Sequence, residues 1–354
     1  MSESAVDTAP RRSVVVQGIA TLNPSYFALV MATGVVSTAC QLLGMRGLAL
    51  LLFWLNIANY IVLVILAGTR LAMFPRLVLG DLIDHKRGVG FFTSVAASCV
   101  LGNQCLLVGD AHRVAVALWV AGIALWLVLT YTIFTAFAVK ETKPSLPDGI
   151  HGGWLVSVVA AQSVSVLGGF LAEGFAPYRE QVLFFSLVMW LGGGMLYIWI
   201  ISLIFYRYTF FSMSAADLSP PYWINMGAMA ISTLAGTILI SVAKDSTLLG
   251  QLLPFLKGFT IFYWATATWW IPMLVILGIW RHIYQRFRLR YDPQYWGAVF
   301  PLGMYTVCTF RLAGVLELPF LKVIPECFII FALAAWLLTF GAMLYSLATV
   351  RWRA

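Results

Sequence analysis

Charge is what this chain has least of. Only 10% of its 354 residues are Asp, Glu, Lys or Arg, against 61% hydrophobic ones. That leaves too little polar surface to cover a water-soluble globule of this size, so the chain reads as an integral membrane protein. Acids are absent from the middle of every apolar run, and His85, His112, His151 and His282 fall in loops or at run edges. Proton-coupled pumps keep a carboxylate or imidazole in the translocation path, so this absence speaks against a buried proton relay. It also speaks against paired intramembrane haem ligands and a metal hydrolase. The five cysteines (Cys40, Cys99, Cys105, Cys308, Cys327) lie in or beside apolar runs without CxxC or Cys/His spacing. They read as small core residues, neither disulfides nor metal ligands. With no cluster of nucleophile, base and metal ligand, the expectations are no catalytic residue, no cofactor and no metal, and a chain that is not an enzyme. A secretory leader is not evident either, since residues 1–22 lack a sustained apolar run and carry Arg11 and Arg12. They are expected to form a short cytoplasmic arm.

What the chain has in abundance is apolar length. About 20 residues cross the hydrocarbon as a helix, and ten runs meet that need: 23–44, 48–74, 89–109, 113–139, 152–174, 180–206, 221–243, 256–280, 294–314 and 325–350. The predicted fold is therefore an all-α, ten-helix polytopic membrane domain over 23–350, with residues 351–354 as a cytoplasmic C-terminus. The net charge of +8 would point to nucleic acid in a soluble protein, but here it follows sidedness. Of the 22 lysines and arginines, six (Arg46, Arg113, Arg179, Lys244, Lys257, Lys322) fall on one side, Arg311 falls within the ninth run, and the rest fall on the other side. The positive-inside rule then puts both termini in the cytoplasm of a plasma-membrane protein, with the bilayer and not nucleic acid as its partner.

The odd-numbered runs share an opening, a turn residue followed by aromatics: Pro24-Ser25-Tyr26-Phe27, Gly90-Phe91-Phe92, Gly152-Gly153-Trp154, Pro220-Pro221-Tyr222-Trp223 and Pro293-Gln294-Tyr295-Trp296. The openings recur at intervals of about one helical hairpin, which predicts five repeated hairpins. Odd runs also hold the hydroxyls and amides, such as Thr33, Ser98, Gln162, Ser163, Asn225 and Thr306, whereas even runs are bulky and apolar. Small and polar side chains belong at helix–helix or water contacts and large apolar ones against lipid. The expectation is an inner ring of five odd helices around a central path, with those six residues as its polar lining.

The ninth run carries the sharpest local signal, Gly297-Ala298-Val299-Phe300-Pro301. A proline inside a membrane helix frees a backbone carbonyl and bends the axis, which suits a helix that faces a cavity. Levelling the five aromatic openings sets Phe300 beside Met31, Ala96, Val158 and Gly227, so one ring stands among smaller or flexible side chains. Such a ring plugs a narrow pore by excluding water, or is simply a packed core aromatic. Arg311 lies about 16 Å further along the helix at 1.5 Å per residue. It either draws anions to the far mouth or snorkels to headgroups.

Four stretches carry a family resemblance that spans nearly the whole chain: Asn23 to Phe27 with Met31-Ala32-Thr33-Gly34, Gly152 to Trp154 with Gln162 to Leu167, Pro220 to Gly227, and Tyr295 to Pro301. On these the chain resembles the tellurite-resistance and C4-dicarboxylate transporter family, which includes bacterial TehA, fungal malate permeases and the slow-type anion channels of plant guard cells. The resemblance implies a ten-helix protomer in homotrimers, five kinked inner helices around a pore, and a ninth-helix Phe that occludes it. The aromatic-aromatic-x-x-x-Phe-Pro pattern puts that role on Phe300, with Pro301 and Gly297 at the kink. The expected activity is passage of small inorganic anions or C4-dicarboxylates by a channel or uniporter. The alternative is a secondary carrier exporting dicarboxylate, sulfite or tellurium oxyanions.

Overall fold

The computed structural model describes residues 14–351. Residues 1–13 of the expected N-terminal arm and 352–354 of the expected C-terminus lie outside the described residues, as do Arg11, Arg12 and Arg353, which contributed to the sidedness argument. Among the described residues the chain is helical, and ten helices are long and apolar enough to cross a bilayer. They are α1 Pro24–Leu42, α2 Arg46–Met73, α3 Gly88–Leu107, α4 His112–Val139, α5 Gly152–Phe175, α6 Arg179–Phe210, α7 Pro220–Asp245, α8 Leu253–Tyr284, α9 Pro293–Val315 and α10 Pro319–Thr349. The predicted boundaries agree within a few residues except at the start of α10, where Lys322 makes the apolar run look shorter than the helix. Short helices at Val14–Ala20 and Pro75–Leu82 have too little apolar length to show in a search for spans.

Contacts divide the ten helices into two sets. Each odd helix packs on the even helix that follows it, and the odd helices pack on one another in a closed cycle, α1 on α3, α3 on α5, α5 on α7, α7 on α9 and α9 on α1. In their most apolar stretches 67–94% of residues are buried in the odd helices and 22–44% in the even ones. Bulky side chains of the even helices, such as Trp54, Val128, Trp199, Trp269 and Leu338, are exposed, as a lipid-facing surface requires.

The shared aromatic openings have a common structure. Each odd helix begins with a turn of 3₁₀ helix, at Pro24–Phe27, Gly88–Phe91, Gly152–Leu155, Pro220–Trp223 and Pro293–Tyr295, and these turns touch in the same cyclic order as the helices. Proline fits a first turn because its missing N–H would have no partner there. Side chains cap three of the five: Asn23 Oδ1 accepts from Ser25 N at 2.9 Å, His151 Nδ1 from Gly153 N at 3.1 Å and Asp292 Oδ1 from Gln294 N at 2.8 Å. All five odd helices thus present their N-terminal ends, and the positive ends of their dipoles, to one face.

Close approach of α7 and α9 depends on Gly227. A Cβ there would lie 2.7 Å from Pro301 Cγ and 3.0 Å from Pro301 Cβ, so the proline ring occupies the space a side chain would need. Gly227→Val forces the two helices apart and is expected to cost about 1–3 kcal/mol, as overpacking does. The measurement is the melting temperature of the purified protein in detergent, with Gly227→Ala falling between wild type and valine. An unchanged melting temperature in the valine variant would refute the packing argument.

Candidate functional site

Two cavities lie on the axis enclosed by the odd helices. Both take side chains from all five of them. The wider one, about 180 Å³, opens among the 3₁₀ turns and is lined deeper in by Met31 of α1, Thr93 of α3, Val159 of α5, Ile224 of α7 and Gly297 and Phe300 of α9. The narrower one, about 20 Å³, is walled by Val35, Thr38, Val100, Asn103, Val166, Leu234, Met304 and Val307, with Arg311 and Phe170 among its lining. A space of that size holds about one water molecule.

On α9 the lining residues are Gln294, Gly297, Phe300, Met304, Val307 and Arg311. Their spacing of three or four residues is one face of a helix. Phe300 lines the wide cavity and Met304, the next residue along that stripe, lines the narrow one, so the Phe300 level separates them. Phe300 is 1% exposed and Met31 3%. The neighbouring aromatics of α9 are engaged outward with α10, Trp296 with Trp336 at 6.4 Å and Tyr305 with Phe328 at 4.8 Å between ring centroids. No ring contact involves Phe300 among the described residues, so packing against aliphatic and small neighbours is what holds it.

The other residues expected at this level are placed differently. Met31 lines the wide cavity; Ala96, Val158 and Gly227 are buried but line neither cavity. Val159, one residue on from Val158, lines the wide cavity together with Val156 of the same helix. Gly227 is spent on the contact with Pro301.

The residues expected as polar lining are placed away from both cavities. None of Thr33, Ser98, Gln162, Ser163, Asn225 and Thr306 lines either cavity. Four of them turn outward to even helices: Trp336 Nε1 donates to Thr33 Oγ1 at 3.0 Å, Ser98 Oγ pairs with Tyr60 OH at 2.8 Å, Gln162 Nε2 donates to Trp190 O at 2.9 Å, and Asn225 Nδ2 donates to Tyr208 OH at 3.3 Å. Ser163 and Thr306 donate back to carbonyls of their own helices, Val159 O at 2.7 Å and Leu302 O at 3.0 Å. Without water to serve them, polar groups in a membrane helix take protein partners. Ser163 alone of the six falls on the axial stripe of its helix, between the lining residues Val159 and Val166.

Cations stand at both ends of this path, and neither cavity has an acid in its wall. Lys86 and Arg87 line the wide cavity. Arg87 pairs with Asp81 at 2.7 Å, but Asp81 also pairs with Arg70 at 2.7 Å, and Lys86 has no ion pair among the described residues, so the mouth keeps excess positive charge. At the far end Arg311 has neither hydrogen bond nor ion pair among the described residues; its guanidinium carbon sits 5.6 Å from the centroid of the Phe170 ring. It is a lining residue of the narrow cavity. Sequence reading missed the roles of Lys86, Arg87, Asn103, Phe170 and His151. The Lys86-Arg87 pair immediately before the Gly-x-Gly opening of α3 was the available signal.

His151 at the wide mouth is held neutral. Burial pushes its pKa down to about 4, and the positive charges of Arg207 and Lys86 add to this against the Lys86 backbone carbonyl, which favours the ring N–H, and the charge of Asp84. A folded-state value below the ordinary one means the unfolded chain binds the proton first. The stabilisation is therefore complete above about pH 6.5, the free imidazole value, and is lost as pH falls toward about 4. His151→Asn keeps a capping side chain without the titration. We expect the wild type to lose about 1–3 kcal/mol more than this variant between those limits, measured by thermal melts across that range; parallel pH profiles would contradict it.

Comparison with known proteins bears on the same residues. The family model described as "Voltage-dependent anion channel" matches residues 21–344. A sulfite efflux pump of Arthroderma benhamiae is 21% identical over 94% of this chain and 92% of its own length. An uncharacterised transporter of Methanocaldococcus jannaschii is 24% identical over 80% of this chain and 81% of its own. An uncharacterised membrane protein of Mycobacterium tuberculosis is 41% identical over 43% of this chain and 77% of its own length.

Proposed function

This chain belongs to the voltage-dependent anion channel family, and from that premise we propose that it passes small anions down their gradient along the axial path, with Phe300 as the gate. The observation that carries the reading is the position of Phe300 between two cavities that all five odd helices line and no acid enters. An anion drawn to the wide cavity meets Lys86, Arg87 and five helix N-termini, which replace part of its lost hydration. Beyond Phe300 it meets valine, leucine and methionine, with Thr38, Asn103 and finally Arg311 as polar footholds. An apolar constriction of one-water width stays dry and blocks ions by withholding solvation. Opening then requires Phe300 to leave the axis.

The narrowness favours compact inorganic anions over C4-dicarboxylates as the first substrates to test. In this reading the odd-helix N-termini and both chain ends face the cytoplasm, the host bilayer is the plasma membrane, and the protomers assemble as a homotrimer. A second reading is a coupled carrier exporting a sulfite-like oxyanion, a dicarboxylate or a tellurium oxyanion, and the near full-length match to sulfite efflux pumps supports it. Saturable uptake driven by a pH gradient in proteoliposomes would select the carrier; linear, uncoupled flux selects the channel.

Phe300→Ala removes the plug, and an increase in anion conductance of roughly tenfold or more is expected, since about 1.4 kcal/mol of barrier is a factor of ten. Bilayer recording measures it, and an unchanged conductance in a folded variant would remove the gate. Arg311→Gln is expected to lower conductance several-fold at low ionic strength and less at high salt, because exposed charges are screened over about 10 Å at 0.1 M. A salt-independent effect, or none, would leave Arg311 a purely structural residue.

A further inference from the structure

The segment from Arg281 to Arg290 holds four arginines, and the structure treats one of them differently. Arg286, Arg288 and Arg290 are exposed, whereas Arg281 is 8% exposed. A charge taken that far from water normally acquires an acid partner. Among the described residues Arg281 has none, and its Nε is buried without a hydrogen-bond acceptor. The nearby carboxylate, Asp292, is committed to capping Gln294 N at 2.8 Å. One face of the guanidinium is covered by the Phe287 ring, with its carbon 4.4 Å from the centroid. The C-terminal carbonyls of α8 offset part of the burial. They supply no counter-charge of their own.

Arg281 also lines a crevice of about 190 Å³ between the end of α8 and the openings of α7 and α9. Ser219 and Tyr222 from the α7 opening and Tyr295 from the α9 opening share that wall, with His282 beside Arg281. The crevice is distinct from the axial cavities. It combines the buried Arg281 Nε lacking an acceptor, two helix N-termini and the hydroxyl-bearing Ser219 and Tyr295, which is the chemistry that holds a tetrahedral oxyanion. The same helix end carries Ile283 and Tyr284, 70% and 81% exposed, so the crevice adjoins an apolar, lipid-facing surface.

We propose that this crevice is a second anion site, separate from the conduction path, which takes a phosphate-type oxyanion on Arg281. The group is either the headgroup of an anionic phospholipid or free phosphate, and it bridges α8 to the first turns of α7 and α9. The site stands whether or not Phe300 gates the axis.

The test uses the full-length purified protein and two probes. Native mass spectrometry counts phosphatidylglycerol retained from vesicles of phosphatidylcholine doped with it, and calorimetric titration measures inorganic phosphate. Arg281→Gln is expected to weaken binding of at least one probe roughly tenfold, while Arg288→Gln, on the exposed part of the segment, leaves both unchanged. Loss of the lipid alone identifies a headgroup site and loss of phosphate alone a soluble-anion site; loss of both, with phosphate displacing the lipid, shows that the crevice accepts either. Binding of both probes that is indifferent to Arg281→Gln overturns the proposal. Should that variant not fold, Arg281→Lys decides. It keeps the charge but not the two-pronged donor, so binding weakened several-fold supports the site and undiminished binding refutes it.

Discussion

The constraint on which the rest of the structure depends is that a polar group inside a bilayer must find its partner within the protein. This chain meets it between its two sets of helices. Trp336 reaches from α10 to Thr33, Tyr60 from α2 to Ser98, and Asn56 from α2 to Gln104 at 2.6 Å. Trp119 of α4 donates to Val164 O and Trp190 of α6 to Ser232 O, both backbone acceptors on odd helices, at 3.0 and 2.8 Å. Such bonds are worth about 0.6 kcal/mol each on average in a membrane. Their larger effect is directional, because each polar side chain engaged outward is one fewer on the axis. The axial walls are left mostly to valine, leucine, methionine and phenylalanine, with Thr38, Thr93 and Asn103 among them.

That division separates the two properties an anion path needs. Attraction comes from the ends, through Lys86 and Arg87 at one mouth, Arg311 at the other, and the N-termini of the odd helices, each equivalent to roughly half a positive charge. On the proposed reading resistance comes from the middle, where only Thr38 and Asn103 interrupt an apolar wall. A path built this way selects by the sign of the charge at its mouths and by size and ease of dehydration at its constriction. It has no need of a ligand set specific to one anion, and that is consistent with relatives named for different roles.

Much of the fold could be read from the chain because it rests on additive, local signals. Apolar length marks a span, and the turn-plus-aromatic openings mark the starts of the odd helices, visible in the structure as five 3₁₀ turns in cyclic contact. The candidate site was less legible, since a single face of a helix decides it. At the opening of α5 only Trp154 follows the glycines, so the aromatic alignment had no second ring to fix its phase and settled on Val158 instead of Val159. The polar residues are hard to place from sequence for a related reason. A serine on a helix can serve the axis, a neighbour or its own i−4 carbonyl, and Ser98, Ser163 and Thr306 have that local option as much as any lining role. Arg281 could not be told from its three exposed neighbours, because burial is a tertiary property.

The Phe300-Pro301 pair joins these threads. Sequence alone makes the proline a bend in a cavity-facing helix, since its missing N–H frees a carbonyl at that turn. In the structure Pro301 is instead wedged into the space left by Gly227, while Gly303, two residues on, packs so closely on α1 that a Cβ there would lie 2.7 Å from Val35 Cγ1. These two close contacts pin α9 to α7 and α1 just past the constriction. Movement of the whole helix would have to break both. Rotation of the Phe300 side chain breaks neither, because no aromatic partner holds it and the wide cavity lies beside it. On the proposed reading the proline therefore acts as the fixed mount of the gate, and the ring is the part that moves.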